Sequence, residues 1–359
     1  PKHNNCEPVG PSTYLFEKIN SRSRELGVEE IKKIEDDFVK AILQCYDSDY
    51  DFIEIHLAHG YSGSIPFNGE LGTRIVERLN KVSNGNIVAK HVKLSPKIHN
   101  ITSFEAVSSG VVDSALSTSQ SWSSKSPAFG LFSSVPFGPD IVAYLTWFRH
   151  HGGKTLYEKL YFRHNIKSIV CGMTGATGAG WFKHEINTLR DLKKSKIAAN
   201  GLVYDVYKDL GAAPIKVKQS ELLFSIKTKK IDAVAFYDVN EDEYFELSKY
   251  TKYYYFPGWF QQARFIDLMI NLEKWQKLGE TQKKIIESAC MANITDSLAV
   301  SESKQFDTLK EIIKQGVDVR KFSPDIVKAL RESWLFVAKS YSTSDTDFRQ
   351  ILNSIRKFS

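Results

Sequence analysis

The chain has 359 residues, of which 42% are hydrophobic and 25% charged, and its net charge is +6. This composition is close to that of folded globular proteins and excludes wholesale disorder, and at roughly 150 residues per domain the length suggests about two domains. The longest clearly apolar stretch, residues 141–148, is far shorter than the ~18 residues that a membrane-spanning helix needs, so we predict no transmembrane helix.

The charge is unevenly distributed along the chain. Residues 1–61 contain 7 Lys and Arg against 12 Asp and Glu, so the remainder carries 41 basic against 30 acidic residues. A nucleic-acid-binding surface would need basic residues clustered in a stripe. The lysines after residue 180 recur instead at dispersed helical spacings, which is typical of a solvated surface, so we predict no nucleic-acid partner.

The four cysteines, Cys6, Cys45, Cys171 and Cys290, are far apart in sequence. No pair has the Cys-x-x-Cys spacing of a zinc ribbon or a thioredoxin-like motif. The spacing also provides no disulfide framework, so we expect buried free thiols.

The N-terminal elements are predicted as a helix and a strand, followed by a second helix and strand. Apolar residues recur at three- and four-residue steps at Ile31, Ile34, Phe38 and Ile42. Residues 52–56 then indicate a buried strand that Gly60 ends. The helical spacing restarts at residues 71–82, before an Asn-Gly turn at 84–85 and a strand near 87–92. The change from net negative charge before residue 61 to net positive charge after it, together with the second helix at residues 71–82, predicts a domain boundary between residues 61 and 70.

A short internal repeat predicts the architecture of the rest of the chain. The pattern of residues 104–115 recurs 119 residues later, at 223–234. In both segments a helix ends in a tight turn, and an aspartate, Asp113 or Asp232, opens a short apolar strand. One such unit in each half predicts a two-lobed α/β protein, although two segments of this common type could also match by chance.

The C-terminal region is predicted to be helical. Thr281 is a candidate N-cap, residues 281–315 contain neither Gly nor Pro, and Gly316 ends the run. Unbroken, this helix would be roughly 50 Å long and could lie across both lobes. The alternative is two helices that meet near Asn293. Ser323-Pro324 marks another helix start, and the mixture of elements favours α/β layering over all-helical or all-β folds.

Two histidines are the first candidates for a chemical site. His56 and His59 follow the predicted strand, so we expect them at its C-terminal end, where parallel α/β folds carry their active groups. A metal site is a weak interpretation, because no accompanying Glu on a helix and no third ligand are evident.

Around these histidines the sequence resembles the old yellow enzyme family of flavin oxidoreductases. The matching runs are EEI (30–32), DDFVKAI (36–42) and DFIEIHLAHGY (51–61). The resemblance implies that His56 and His59 are the pair that hydrogen-bonds the substrate carbonyl in that family. It covers about 35 residues of a family that needs a complete barrel, and the family's Arg- and Gly-rich continuation after Tyr61 is missing. We therefore interpret the segment as a fused fragment without flavin activity.

Two other clusters are weaker candidates. A glycine-rich run contains Gly172, Gly175, Gly178 and Gly180. It matches neither G-x-G-x-x-G nor a P-loop, so a turn leading into a helix near Trp181 is favoured over a phosphate site. The aromatic run 253–259 is either a core strand that ends in a turn or the wall of a small-molecule cleft. No Gly-x-Ser-x-Gly motif and no ordered Ser-His-Asp set occurs, which favours a binding protein over an enzyme.

From about residue 70 to residue 339 the chain resembles the solute-binding proteins of tripartite ATP-independent periplasmic (TRAP) transporters, in the branch that includes binders of 2-oxo acids. The matching motifs are EAVSSGVVD (105–113), Trp122, PAFGLFSSVPFG (127–138), HGG (151–153), GWFKHEI (180–186), DLK (191–193), LGAAP (210–214), IDA (231–233) and YYYFPGW (253–259). The resemblance implies two α/β lobes that close on a small carboxylate, a long helix across both lobes, and delivery to a membrane permease.

The resemblance also implies a ligand site that this chain has altered. Ala198 stands where the family has the arginine that binds the ligand carboxylate, and Ala235 stands where an acidic residue contributes to a cation site. Thr177 replaces a Gln and Phe236 replaces a Trp, so of these five matched positions only Gln261 keeps its family identity. The implied ligand-binding positions are Trp122, Thr177, Trp181, Ala198, Phe236 and Gln261. Loss of a buried charged partner costs about 1.5–3 kcal/mol, although a lysine such as Lys196 could compensate.

We therefore expect the extracytoplasmic, periplasmic solute-binding component of a TRAP transporter, which is not an enzyme and has an altered pocket for a small organic acid. We expect no organic cofactor, and the family resemblance alone implies Na⁺. The expected partners are the ligand and the permease membrane subunits, with the protein a monomer or homodimer. The alternatives are a flavin-dependent oxidoreductase fragment and a binding-inactive fusion product.

The predicted domain organisation follows from these resemblances. It comprises an N-terminal segment (1–66), a first lobe (67–175 and 261–300), a second lobe (176–260) and a C-terminal helical region that includes the spanning helix (281–359).

Overall fold

The computed structural model describes residues 9–10, 15–16, 21–22, 24–25, 29–30, 32–33, 53–59, 68–92, 102–235 and 245–358. Their contacts divide the chain into two compact units, Pro1–Phe52 and Ile53–Ser359.

The first unit contains four two-residue strands: β1 (Val9–Gly10), β2 (Leu15–Phe16), β3 (Ser21–Arg22) and β4 (Arg24–Glu25). β1 pairs in parallel with β4, and β2 pairs antiparallel with β3. Residues 29–30 and 32–33 are helical. The four apolar positions of the predicted N-terminal helix, Ile31, Ile34, Phe38 and Ile42, lie outside the described residues.

The second unit contains two sheets, and the first sheet has five strands. They are β5 (Ile53–His59), β6 (Ile87–Val92), β7 (Ser114–Ser117), β8 (Ile166–Thr174) and β14 (Arg264–Asn271). Their order is β6-β5-β7-β14-β8, with β5 parallel to β6 and β7, and β14 antiparallel to β7 and β8. We call this sheet and the helices that cover it the first lobe.

The strand β5 corrects two expectations about the N-terminal region. It continues to His59 because residues 57–59 pair with β7, so His56 and His59 lie within the strand and not after it. β5 also belongs to the second unit, although it precedes the predicted boundary between residues 61 and 70, because it pairs with two strands of that unit.

The second sheet has six short strands and forms the second lobe together with its helices. The strands are β9 (Gly180–Phe182), β10 (Lys196–Ala198), β11 (Ala213–Ile215), β12 (Ala233–Val234), β13 (Tyr253–Tyr255) and β15 (Asp318–Arg320). Their order is β11-β10-β12-β9-β13-β15, and β9 runs antiparallel to both of its neighbours. The helix predicted near Trp181 is therefore wrong, because Trp181 lies in the centre of β9.

The helices cover both sheets and connect them. They are α1 (Asn68–Val82), α2 (Ser103–Ser108), α3 (Ile141–His150), α4 (Gly153–Phe162), α5 (Leu189–Lys194), α6 (Gly201–Asp209), α7 (Leu222–Lys227), α8 (Leu272–Lys277), α9 (Glu280–Lys314), α10 (Pro324–Ser344) and α11 (Thr346–Phe358). In α1 the predicted positions Leu71, Ile75 and Leu79 are buried against β5 and β6. Helix α10 begins as predicted, with the Ser323 hydroxyl accepting a hydrogen bond from the Ile326 amide.

The internal repeat corresponds to one helix–turn–strand unit in each lobe. Helix α2 leads into β7 of the first sheet, and helix α7 leads into β12 of the second sheet. The tight turns contain Gly110 and Lys229, both with positive φ. The two-lobe prediction from the internal repeat therefore agrees with the observed architecture.

The long C-terminal helix is continuous over 35 residues. Ile286 near its start is buried in the first-lobe core, and Ile312 near its end is buried in the second-lobe core. The alternative of two helices that meet near Asn293 is wrong. Asn293 is fully buried within the helix, and its Nδ2 donates to the Cys171 carbonyl oxygen at 2.5 Å. Helix α9 therefore spans both lobes.

A disulfide bond joins Cys171 of β8 to Cys290 of α9. The expectation of buried free thiols is therefore wrong for this pair. The residues are 119 positions apart in sequence, but α9 packs over β8 and brings their Cα atoms to 4.1 Å. Both residues are buried, so the bond ties the long helix to the first sheet within the core.

No helix in the described part of the chain is both long enough and apolar enough to cross a membrane.

Candidate functional site

Two chain segments cross side by side between the sheets and form a hinge. Residues 175–179 connect β8 to β9, and residues 256–263 connect β13 back to β14. The Ala179 amide donates to the Tyr255 carbonyl at 2.7 Å, and the Thr177 amide donates to the Gln261 carbonyl at 3.1 Å. These bonds place two of the predicted ligand positions, Thr177 and Gln261, next to each other between the lobes.

Glycines allow the two hinge segments to approach closely. A Cβ atom at Gly258 would lie 2.5 Å from the Thr177 carbonyl oxygen and 2.6 Å from the Gly178 carbonyl oxygen. A Cβ atom at Gly178 would collide with the Tyr254 hydroxyl. Gly178 and Gly258 therefore allow these two backbone segments to pack closely.

The hinge carries buried polar groups that the described residues leave without a hydrogen-bond partner. They include the hydroxyls of Thr174 and Thr177 and the Nε2 of Gln261, in side chains with only 1%, 1% and 2% of their surface exposed. Buried polar groups are nearly always paired in folded proteins. Unsatisfied groups beside a hinge are therefore the features expected of a site that holds a polar ligand.

The predicted positions on the second sheet meet at the edge formed by the C-terminal ends of its inner strands β10 and β12. The Ala235 amide donates to the Ala198 carbonyl at 2.9 Å, and Val234 pairs in register with Trp181. Ala198 and Ala235 are fully buried and uncharged, so this edge provides no side-chain partner for a carboxylate. Trp181 is also fully buried, with its ring 4.6 Å from that of Tyr254. Phe236 lies outside the described residues.

The described residues at this edge do not fit a cation site. Ala235 has no ligating group, and its neighbour Ala198 adds none. Within the described ranges, no group of three or more His, Cys, Asp or Glu side chains is close enough to hold a metal ion. Calcium and sodium ions need several oxygen ligands, usually with carboxylates among them.

Trp122 is in a different environment from the hinge residues. It ends a 3₁₀ turn after β7, and its ring lies 5.0 Å from that of Phe104, within the aromatic core of the first lobe. The same turn approaches the second lobe at Gly201, whose added Cβ would lie 3.4 Å from the Gln120 amide nitrogen.

Lys196 does not replace the charge that Ala198 lacks. It begins β10, two residues before Ala198, and its side chain is exposed. Its Nζ lies 3.5 Å from the Lys229 carbonyl oxygen. The compensation suggested from the sequence is therefore not supplied by this lysine in the structure.

Two charged residues that no sequence motif singled out lie in an apolar strand. Strand β14 has the sequence RFIDLMIN and is buried along its whole length, so Arg264 and Asp267 are buried charges. Charged residues at 264 and 267 within an otherwise apolar run are a signal that the sequence alone offers. Arg264 is at the hinge end of the strand, where it pairs in register with Thr174.

Asp267 is enclosed by hydroxyl groups in the first lobe. Its carboxylate accepts hydrogen bonds from Ser119 and Tyr161, both at 2.6 Å, and from Tyr157 at 2.7 Å. These bonds lower its pKa, but complete burial outweighs them and raises the pKa to about 6. Burial likewise holds the pKa of the Tyr157 and Tyr161 hydroxyls well above their usual value. This cluster lies in the lobe core and not in the hinge segments.

The chain is similar to known solute-binding proteins over most of its length. The monocarboxylate 2-oxoacid-binding periplasmic protein of a Nostoc species is 26% identical over 285 residues, which cover 79% of this chain and 78% of that protein. The crystal structure of a TRAP periplasmic solute-binding protein from Colwellia psychrerythraea, with bound calcium and pyruvate, matches with a TM-score of 0.81 and 26% identity. A TRAP protein from Pseudoalteromonas atlantica, with bound sodium and pyruvate, matches with a TM-score of 0.80 and 26% identity. Each structure aligns with 86% of this chain and covers 94% of its own.

A short segment is similar to an enzyme instead. An NADPH dehydrogenase of Listeria monocytogenes is 40% identical over 55 residues, which are 15% of this chain and 16% of the enzyme. The backbones of His56 and His59 lie within β5, where they pair with Lys90 of β6 and Leu116 of β7. This match gives the oxidoreductase alternative no support beyond the segment itself.

The α/β fold with two lobes is thus shared with solved TRAP solute-binding proteins, as the sequence predicted. The model of the family described as bacterial extracellular solute-binding protein, family 7 (DctP) matches residues 58–344. That range begins within β5 and includes both sheets and helix α9. The chain therefore belongs to the DctP family of bacterial extracellular solute-binding proteins, and it is a binding protein and not an enzyme.

Proposed function

We propose that this protein binds a small 2-oxo monocarboxylate, such as pyruvate, between its two lobes in the periplasm and delivers it to the membrane subunits of a TRAP transporter. The proposal is supported by family membership and by two solved relatives that hold pyruvate. Whether the protein acts as a monomer or a homodimer stays a prediction.

The observation that carries the proposal is the set of buried groups at the hinge. Thr177 and Gln261 are held together by a backbone hydrogen bond, and each has a buried polar atom without a partner among the described residues. The Gln261 Nε2 is a donor only, and a threonine hydroxyl can also donate. A carboxylate and a ketone together offer acceptors alone, so such a ligand would complement these groups.

The pocket should work without a metal ion. The two solved relatives bind pyruvate together with calcium or sodium, whereas the described residues around Ala235 supply no carboxylate to hold a cation. We therefore propose that ligand binding in this chain is independent of both ions. The ligand charge must then be balanced by the protein itself.

Thermal unfolding against a ligand panel tests the proposal. The panel contains pyruvate and longer 2-oxo acids, with neutral amides and sugars as controls, each in sodium-containing and in chelator-treated sodium-free buffer. A ligand at 100 times its dissociation constant stabilises the folded state by about 2.7 kcal/mol, which raises the melting temperature by a few degrees. We expect this shift with a 2-oxo acid in both buffers.

A matched pair of variants assigns the shift to the hinge. Thr177→Val should reduce the ligand-induced shift, because it removes a hydroxyl without a partner. Thr251→Val is the control, because Thr251 is also buried but its hydroxyl already donates to the Leu247 carbonyl, away from the hinge. A shift with uncharged compounds only would redirect the proposal to another ligand class. No shift with any compound would favour the binding-inactive fusion product.

A further inference from the structure

We propose that a groove between helices α1 and α9 binds a medium-chain carboxylate. The guanidinium of Arg74 holds the anionic head, and the alkyl chain lies on the apolar floor of the groove. This site is separate from the hinge and goes beyond the proposed function. Its ligand is an amphiphile, whereas pyruvate has only a methyl group to bury in such a groove.

The groove is walled by two helices of the first lobe. Its residues come from α1 between positions 74 and 82 and from α9 between positions 280 and 292, and it encloses about 970 Å³. Ligand pockets usually measure about 300–1,000 Å³, so the groove is large enough for a small molecule. At 1.5 Å per residue its α9 side is about 18 Å long, which allows an alkyl chain to lie along the helix.

The floor of the groove is apolar and continuous with the first-lobe core. Ala289 is buried in that core, and Ile285 packs against it. Ala292 continues the same face of α9, and Val82 contributes from α1 with 52% of its surface exposed. Covering these side chains with an alkyl chain removes apolar surface from water, which tightens binding by about fourfold for each buried methylene group.

Arg74 supplies a pair of unused donors on the α1 side of the groove. Its Nε and Nη2 are buried and have no hydrogen-bond partner among the described residues. These two nitrogens form one edge of the planar guanidinium, and such an edge can bind both oxygens of a carboxylate at once. The residue as a whole is half-buried, so its side chain can turn this edge into the groove without breaking a hydrogen bond.

The charged side chains of the groove leave it with an excess of positive charge. Four are basic and two are acidic: Arg74, Arg78, Lys81 and Lys284 against Glu77 and Glu280. Arg78, Lys284 and Glu280 each form an ion pair with a residue beside the groove. The remaining acidic side chain, Glu77, is exposed. The groove therefore complements an anionic head group and disfavours a cationic one.

Isothermal titration calorimetry with hexanoate, octanoate and decanoate tests the inference, with octanamide as the neutral comparison. Affinity of the wild-type protein should rise about fourfold per methylene group along the series. Octanoate should bind about ten times more tightly than octanamide, the lower end of the range for a charge-assisted hydrogen bond, because Arg74 is only half-buried. Excess pyruvate should leave octanoate affinity unchanged.

Three variants assign the binding to the groove. Arg74→Gln should weaken octanoate binding about tenfold and leave octanamide binding nearly unchanged, and Arg74→Lys should fall between wild type and Arg74→Gln. Ala292→Phe should weaken binding of the acid and the amide alike, because it fills the floor and keeps the guanidinium. Arg190→Gln is the matched control, since Arg190 is an exposed residue of α5 in the second lobe, and it should leave octanoate affinity unchanged.

A folded Arg74→Gln protein that binds octanoate as tightly as wild type would overturn the inference. Wild-type protein that binds none of the acids, or binds all three equally, would overturn it as well. Displacement of octanoate by pyruvate would place the acid between the lobes and would also overturn it, while leaving the proposed function intact. If Arg74→Gln does not fold, Ala292→Phe decides, because unchanged octanoate affinity in that variant would exclude the groove.

Discussion

The buried carboxylate of Asp267 should make the stability of the first lobe depend on pH in an unusual direction. Burial raises its folded-state pKa from 3.8 to about 6. A pKa that is higher in the folded state means that folded protein binds the proton more tightly than unfolded protein. The stabilisation is therefore complete below pH 3.8 and is lost as the pH rises through about 6.

The size of the effect follows from the pKa difference. A shift of about 2.2 pH units, at about 1.4 kcal/mol per unit, gives about 3 kcal/mol between the two limits. Asp267→Asn keeps the shape of the side chain but cannot ionise, and the surrounding hydroxyls of Tyr157, Tyr161 and Ser119 can reorient to accept from its amide. Wild type should therefore gain stability relative to this variant as the pH falls from 8 to 4.

Urea unfolding of both proteins at intervals between pH 4 and pH 8 measures this difference directly. Asp191→Asn is a control without pH dependence in this range, because hydrogen bonds from Thr188 hold the pKa of Asp191 below its usual value of 3.8. The difference between that variant and wild type should stay constant from pH 8 to pH 4, and it should shrink only as the pH falls below 3.8. A flat difference curve for Asp267→Asn would show that the three hydrogen bonds balance burial, and wild type gaining stability as the pH rises would show that they outweigh it; either result would refute the reasoning.

Two further predictions concern the covalent tie and the hinge. Replacing both Cys171 and Cys290 with alanine, or reducing the bond in denaturant, should destabilise the protein by about 4–5 kcal/mol, because the bond closes a loop of more than 100 residues in the unfolded chain. Calorimetry of the double variant in oxidising buffer measures this loss of stability. An unchanged melting temperature would argue against the bond. Gly258→Ala should cost about 1–3 kcal/mol and weaken ligand binding, because its Cβ would lie 2.5 Å from the Thr177 carbonyl. Gly85→Ala is a control at a turn where an added Cβ meets nothing within 4 Å, so it should cost only the strain of its positive φ and leave binding unchanged.

Periodicity predicted the elements whose burial has a regular repeat. Helix α1 and strand β6 were predictable because Leu71, Ile75 and Leu79 recur on one face and residues 87–92 follow an Asn-Gly turn. The long helix was predictable because no Gly or Pro interrupts residues 281–315. The sequence could not decide whether the helix was broken near Asn293, since a buried asparagine needs a hydrogen-bond partner, and only the tertiary structure shows that its amide donates to the Cys171 carbonyl.

Features that depend on distant contacts were not predictable from local patterns. Cys171 and Cys290 meet only because α9 packs over β8, and no spacing rule indicates such a pair. Trp181 follows a glycine-rich run that suggested a turn into a helix, but antiparallel pairing with β12 and β13 makes a strand of it.

The candidate site, too, was only partly predictable from the sequence. The family resemblance located Thr177 and Gln261, which the structure brings together, and it located the substitutions at Ala198 and Ala235. It could not indicate Arg264, because the family motif ends before that residue and only the tertiary structure shows that it is buried beside the hinge.

We expect the altered pocket to bind a 2-oxo acid without a metal ion. The most direct measurement is a calorimetric titration of the wild-type protein with pyruvate, after treatment with a chelator, in sodium-free buffer. We predict saturable binding of one pyruvate per chain, with the same affinity after sodium or calcium is added back. Binding that needs either ion, or no binding in any buffer, would contradict it.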